Sequence, residues 1–178
     1  LGAQIALGAA AAHPERVQRL LMLSGNPCFV ARPDWPTAMA PEFFEEFSRM
    51  VERDGVDALP RFLALQGQGA YRPRPLLKQM QALLGQRPAP VLRALLAGLD
   101  MLRTVDLRTA LVGLECPVMA LLGANDALVP VAVGNALQLL RPSLRLAVIP
   151  AAAHQSFLSH PSDYTHRVTE FLRSYAAC

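Results

Sequence analysis

Two side chains in the last third of this 178-residue chain, Asp126 and His154, could form the acid and base of a nucleophilic catalyst. Asp126 stands in Gly123-Ala124-Asn125-Asp126, just beyond the apolar run Val118 to Leu122. His154 follows a second run, Leu144 to Ile149, through Pro150-Ala151-Ala152-Ala153. An imidazole accepts a proton from a hydroxyl nucleophile when a carboxylate holds its tautomer and stabilises the imidazolium. In open parallel sheets such groups sit on loops at the carboxyl ends of strands, and both residues occupy such positions. Taken singly, Asp126 would serve equally well as a turn aspartate, and His154 as a loop histidine bonded to backbone. Their chain order, acid before histidine with one helix and one strand between, favours the paired reading. His13, His160 and His166 have no comparable partner and are read as structural or solvated.

The nucleophile is not among these residues, since no Gly-x-Ser-x-Gly occurs in the chain. Ser24 follows an apolar run, but Asn26-Pro27 cannot launch the helix that a nucleophile elbow requires. Leu1-Gly2-Ala3 opens a helical pattern and would complete Gly-x-Ser-Leu-Gly if a serine preceded it. The expectation is a chain that starts mid-fold, directly after its nucleophile, and that does not fold independently. The backbone N–H of Leu1, at a helix N-terminus, would then be one oxyanion donor, with the second on an upstream loop. Gly2 would be small because an elbow packs tightly on its neighbouring strand.

These groups need a scaffold, and the apolar patterning predicts one. Gln18 to Leu23 reads as a buried strand closing at Ser24-Gly25-Asn26-Pro27. Val118 to Leu122 and Leu144 to Ile149 read as two more. Helical spacing covers Leu1 to Ala12, Val131 to Leu140 and, after a Pro start, Pro161 to Tyr175. Strand, helix, strand, helix is the βαβ rhythm of a parallel sheet. Between Trp35 and Leu107 that rhythm stops, and helical patterns at roughly 41–53, 56–66, 75–84 and 90–102 suggest an inserted helical cap. The expected architecture is therefore α/β, a mostly parallel sheet flanked by helices. Residues 1–34 and 109–178 would form its core and 35–108 its cap, with the N-terminal strands outside this chain.

Composition narrows the function classes. Hydrophobic residues make up 52% of the chain, yet no apolar run reaches the roughly 20 residues of a bilayer span. The first twelve residues lack the basic leader of a signal peptide. Three widely spaced cysteines, Cys28, Cys116 and Cys178, show no metal-ligand spacing and read as reduced thiols of a cytoplasmic protein. No metal or organic cofactor is implied. The net charge is only +3, but from Arg61 to Arg103 seven basic residues (Arg61, Arg72, Arg74, Lys78, Arg87, Arg93, Arg103) face one acid, Asp100. With only Phe62 and Tyr71 as aromatics and no known motif, that stretch argues against nucleic acid. A basic cap beside an active-site mouth would instead steer an acidic partner; a merely solvated Arg-rich face is the alternative.

Several segments carry a more particular resemblance: Leu1-Gly2, His13-Pro14-Glu15-Arg16-Val17, Asn26-Pro27-Cys28-Phe29 with Asp34-Trp35-Pro36, Arg61-Phe62-Leu63-Ala64-Leu65-Gln66, Thr104-Val105-Asp106-Leu107-Arg108, Asp126-Ala127-Leu128-Val129-Pro130, and Ala152-Ala153-His154 through Ser159-His160-Pro161. In these the chain resembles the α/β-hydrolase superfamily and, within it, the pimeloyl-[acyl-carrier protein] methyl ester esterases of biotin synthesis. The resemblance implies a serine carboxylesterase, monomeric, with Asp126 and His154 as triad members. It also implies that Phe62, Leu63, Ala64, Leu65 and Gln66 border the acyl chain. Arg61, Arg74 and Lys78 would meet the acidic acyl carrier protein, while Asp57 stands where the family has a further cap arginine. Two rivals remain open at this point: a general carboxylesterase or lactonase, and a non-catalytic hydrolase-like binding protein or inactive fragment.

Overall fold

The computed structural model describes residues 1–85 and 91–174, so Arg87, Tyr175 and Cys178 lie outside the described residues. Three short apolar runs become strands: β1 (Leu20–Leu23), β2 (Val118–Gly123) and β3 (Arg145–Ile149). They form one parallel sheet in the order β1-β2-β3, with Leu20 beside Val118 and Met119 beside Arg145. Every residue of the central strand β2 is buried. Burial on both faces explains why it reads as a continuous apolar run rather than an alternating one.

Helices cover the two faces. Helix α1 (Gly2–Ala12) packs Leu7 and Ala10 against Leu20, Met22 and the β2 residues Val118, Ala120 and Leu122. Leu111 of α6 (Arg108–Gly113) and Val133 and Leu137 of α7 (Val133–Leu140) complete this cluster. On the opposite face, Phe171 of α9 (Pro161–Arg173) meets Met119, Leu121 and Ile149. Each such fully buried aliphatic or aromatic side chain contributes about 1.5–3 kcal/mol.

Four helices lie between β1 and α6 in the chain: α2 (Pro41–Asp54), α3 (Leu59–Gly67), α4 (Pro73–Gly85) and α5 (Leu92–Thr104). Phe44, Val51, Ala58 and Leu99 give them an apolar cluster of their own, into which Leu128 of the β2 loop also packs. The helix expected from residue 56 begins at Leu59. Gly55, at φ +58°, turns the chain into a 3-10 turn over Gly55–Ala58 first, and Pro60 stands in the first turn of the new helix. α6 and the four-residue α8 (Ser156–Ser159) escaped sequence reading because neither is long enough to show a period.

The two chain crossings between these helices and the sheet are tied together. Leu107 N–H donates to Pro27 O at 2.9 Å, and the Trp35 indole donates to Cys28 O at 3.1 Å. The Arg108 guanidinium reaches Asp106 at 2.7 Å and Asp34 at 2.9 Å and stacks 5.6 Å from the Trp35 ring. Hydrogen bonds from Arg108 hold the Asp106 carboxyl below the usual carboxylate range.

Candidate active site

The loops that follow β2 and β3 touch backbone to backbone. A Cβ on Gly123 would come within 2.5 Å of the carbonyl oxygens of both Ala152 and Ala153, so only glycine permits the approach. Asn125 N–H donates to Ala152 O at 2.9 Å, and Ala124 N–H to Ile149 O at 3.0 Å. Ala151, held at φ +56°, turns the β3 loop back toward this seam. A non-glycine residue in that region is a strained position that surrounding structure must enforce.

The seam brings Asp126 and His154 together. His154 Nδ1 lies 2.8 Å from Asp126 Oδ2, and the aspartate side chain is wholly buried while the imidazole is 22% exposed. The other carboxylate oxygen, Oδ1, accepts the N–H groups of Leu128 at 2.8 Å and Val129 at 3.0 Å. Asp126 is thus both the turn aspartate and the imidazole partner, one oxygen for each task. A buried carboxylate with three directed donors is satisfied, which makes its burial tolerable and its orientation fixed. A carboxylate oxygen facing Nδ1 favours the tautomer that donates from Nδ1 and keeps a lone pair on Nε2.

His154 lines a cavity of about 270 Å³ between the sheet and the cap helices. Leu1 and Gln4 from the start of α1, Ser24 to Asn26 from the end of β1, and Phe29, Phe44, Phe47, Phe62 and Leu99 share its wall. Phe29 and Phe44 meet edge to face at 6.1 Å, and Phe47 lies 5.3 Å from Phe62. The cavity's wall is aromatic and aliphatic on the cap side, a surface suited to methylene groups. Among the described residues, no three His, Cys, Asp or Glu side chains gather as metal ligands.

Of the α3 segment singled out in the sequence, Phe62 lines this cavity. Leu63 packs instead against Ala70, Leu76, Met80 and Ala153, Leu65 joins the cap cluster, and Ala64 is exposed. Gln66 is buried and its side-chain oxygen accepts a hydrogen bond from Gln155, the residue next to His154. Two more bonds tie the same stretch to the loops after β2 and β3: Asn125 Nδ2 to Gly69 O at 2.9 Å and Tyr71 N–H to Ala151 O at 3.2 Å. Gly69, at φ +84°, lies so close that a Cβ would sit 2.5 Å from Asn125 O. Sequence reading missed Gln155, Asn125 and both close-contact glycines. Adjacency to Asp126 or His154 was the signal available for Gly123, Asn125 and Gln155, while Gly69 carried none.

The basic face is divided. Arg61 is engaged with Asp54 at 2.9 Å, and Arg103 with Glu45 at 3.1 Å. Arg74 and Lys78 on α4 and Arg93 on α5 are exposed and make no ion pair among the described residues.

A parallel sheet whose strand-end loops pair an aspartate with a histidine under a helical cap is the arrangement of an α/β-hydrolase, and residues 1–161 match the alpha/beta hydrolase fold family, to which the chain belongs. A solved esterase from Exiguobacterium antarcticum superposes with a TM-score of 0.82 at 20% identity, covering 96% of this chain and 63% of the esterase. Curated relatives narrow the placement to the pimeloyl-[acyl-carrier protein] methyl ester esterases. The relative from Methylococcus capsulatus is 44% identical over 98% of this chain and 68% of its own length. The one from Aeromonas hydrophila is 38% identical over 97% and 67%. The chain thus spans about two thirds of the length of these relatives.

Proposed function

We propose that the protein carrying this chain is a serine carboxylesterase that hydrolyses the methyl ester of a pimeloyl chain borne by acyl carrier protein. The observation that carries this reading is the 2.8 Å pairing of His154 with buried Asp126 at the wall of an apolar cavity. Leu1, at the N-terminus of α1, lines the same cavity. A serine joined to Leu1 would stand at a strand-to-helix turn, with the first amides of α1 directed at the developing oxyanion.

In the proposed reaction, His154 Nε2 accepts the serine proton as the oxygen attacks the ester carbonyl. Asp126 stays ionised and stabilises the imidazolium, which then protonates the departing methoxide. Methanol leaves, and a water activated by the same nitrogen releases the carboxylate and restores the serine. Phe62 and the other cap aromatics hold the methylene chain. Exposed Arg74 and Lys78 meet the acidic carrier, with Arg61 contributing beyond its bond to Asp54 and Asp57 weakening the patch locally. The naming of these relatives as pimeloyl-[acyl-carrier protein] methyl ester esterases supports this substrate. Among the described residues no helix is long and apolar enough to cross a membrane. A cytoplasmic monomer is part of the same proposal.

The test is hydrolysis of carrier-bound methyl pimelate beside short free methyl esters, with fluorophosphonate labelling. Labelling together with a strong preference for the carrier-bound ester supports the proposal. Equal rates on free esters would leave a general carboxylesterase, and absence of labelling would remove the serine mechanism.

A further inference from the structure

The ring of His154 is oriented by Asp126, but the chain on either side of it is held from α3 and α4. Ala153, the residue before it, is fully buried in one cluster with Leu76 and Met80 of α4, and Leu63 of α3 packs on the same cluster. Gln155, the residue after it, donates from its side-chain amide to the side-chain oxygen of Gln66 near the end of α3. The Gln155 carbonyl accepts the N–H groups of Leu158 and Ser159, each at 3.1 Å, and so starts α8. One neighbour of the imidazole is thus fixed by packing and the other by a hydrogen bond.

Gln66 is placed to anchor and not to line. It is 6% exposed, and among the described residues the cavity wall is built without it, although Phe62 one turn earlier belongs to that wall. Its base is rigid, because Leu65 packs into the apolar cluster of the helices on one side and Leu63 turns toward Ala153 on the other. Burial and the bond to Gln155 together remove the rotamer freedom of a long amide side chain, a cost that a merely solvated glutamine would not bear. A reacting imidazole works only when its neighbours hold it to within about 0.5 Å, and a misplacement of about 1 Å costs on the order of 100-fold in rate.

We propose that Gln66 and Gln155 are a positioning pair: their hydrogen bond fixes the segment from Ala153 to Gln155 so that His154 Nε2 faces the nucleophile, and Gln66 acts on turnover through Gln155 without touching the acyl chain. The inference rests on the proposed esterase function and deepens it. It replaces the acyl-chain contact that the family resemblance implies for Gln66.

The experiment uses the whole protein carrying this chain, with Gln66→Met, Gln155→Met and the double variant. Each single variant should lower kcat for methyl heptanoate by about tenfold or more while KM stays within about twofold of the parent. Labelling by a small fluorophosphonate, which needs the activated serine and not the acyl-chain wall, should slow in proportion. The double variant should fall no more than about threefold below the weaker single one, because either substitution removes the same bond. A raised KM with unchanged kcat and labelling would make Gln66 an acyl-chain contact. A lowered melting temperature with kcat and labelling within about twofold of the parent would leave the bond a structural tie. Losses that multiply in the double variant would show two side chains acting separately. Each of these three outcomes overturns the pair while leaving the esterase standing. If Gln66→Met gives no cooperative melt, Gln155→Met, at the less buried residue, carries the test. Absence of labelling in the parent removes the esterase and the pair together.

Discussion

Asp126→Asn separates the two tasks of this side chain. An asparagine is nearly isosteric, and its oxygen can take the place of Oδ1, which accepts from Leu128 at 2.8 Å and Val129 at 3.0 Å. Its NH₂ group must then face His154 Nδ1, 2.8 Å away in the parent. The opposite flip would set two donors against two donors, so the loop dictates the orientation. A donor facing Nδ1 forces the imidazole proton onto Nε2, the nitrogen that accepts the serine proton in the proposed reaction. The wrong tautomer costs on the order of 10⁴ in kcat in a triad of this kind. Exchanging a charge-assisted hydrogen bond for a neutral one costs stability by about 1–2 kcal/mol, so the variant should still fold. The assay is single-substrate hydrolysis beside a thermal melt. Activity within tenfold of the parent would refute the tautomer argument, and collapse of the fold would show that the loop needs the charge itself.

Three further outcomes follow from the geometry. Gly123→Ala places a methyl 2.5 Å from two carbonyl oxygens and should cost about 1–3 kcal/mol in denaturant melts, with turnover falling further as the loops separate. Arg141, buried, donates to the carbonyls of Leu111, Leu114 and Cys116 at 2.8, 2.7 and 3.0 Å, closing the end of α6. Arg141→Met should lower stability by about 2–4 kcal/mol in urea titrations, and Lys should not rescue it because one ammonium lacks the guanidinium's fork. The Asp106 carboxyl, held low by Arg108, contributes stability above about pH 4 and loses it as pH falls through its folded value. Melting temperatures should therefore drop below pH 4 more steeply in the parent than in Asp106→Asn; parallel curves would refute the linkage.

Local pattern carried far in this chain. The apolar runs at Leu20, Val118 and Leu144 became strands, and the Pro and Gly punctuation marked most helix ends; β2, buried on both faces, left the most continuous signature. Asp126 and His154 were legible for a related reason: strand-end loops recur in a fixed order along the chain. What the α3 segment does was not legible. Phe62 faces the cavity, yet Gln66 bonds to Gln155 and Leu63 turns toward Ala153, since which side of a short helix meets the core depends on where the rest of the cap docks. The roles of Gly69 and Gly123 as contact points and the capture of four carbonyls by Arg141 likewise exist only after distant segments close on one another. Sequence determined which elements form and which groups could react. Tertiary structure decided which groups meet, because hydrogen bonds join residues as far apart in the chain as Gln66 and Gln155 or Ser24 and Leu121, and no local period records them.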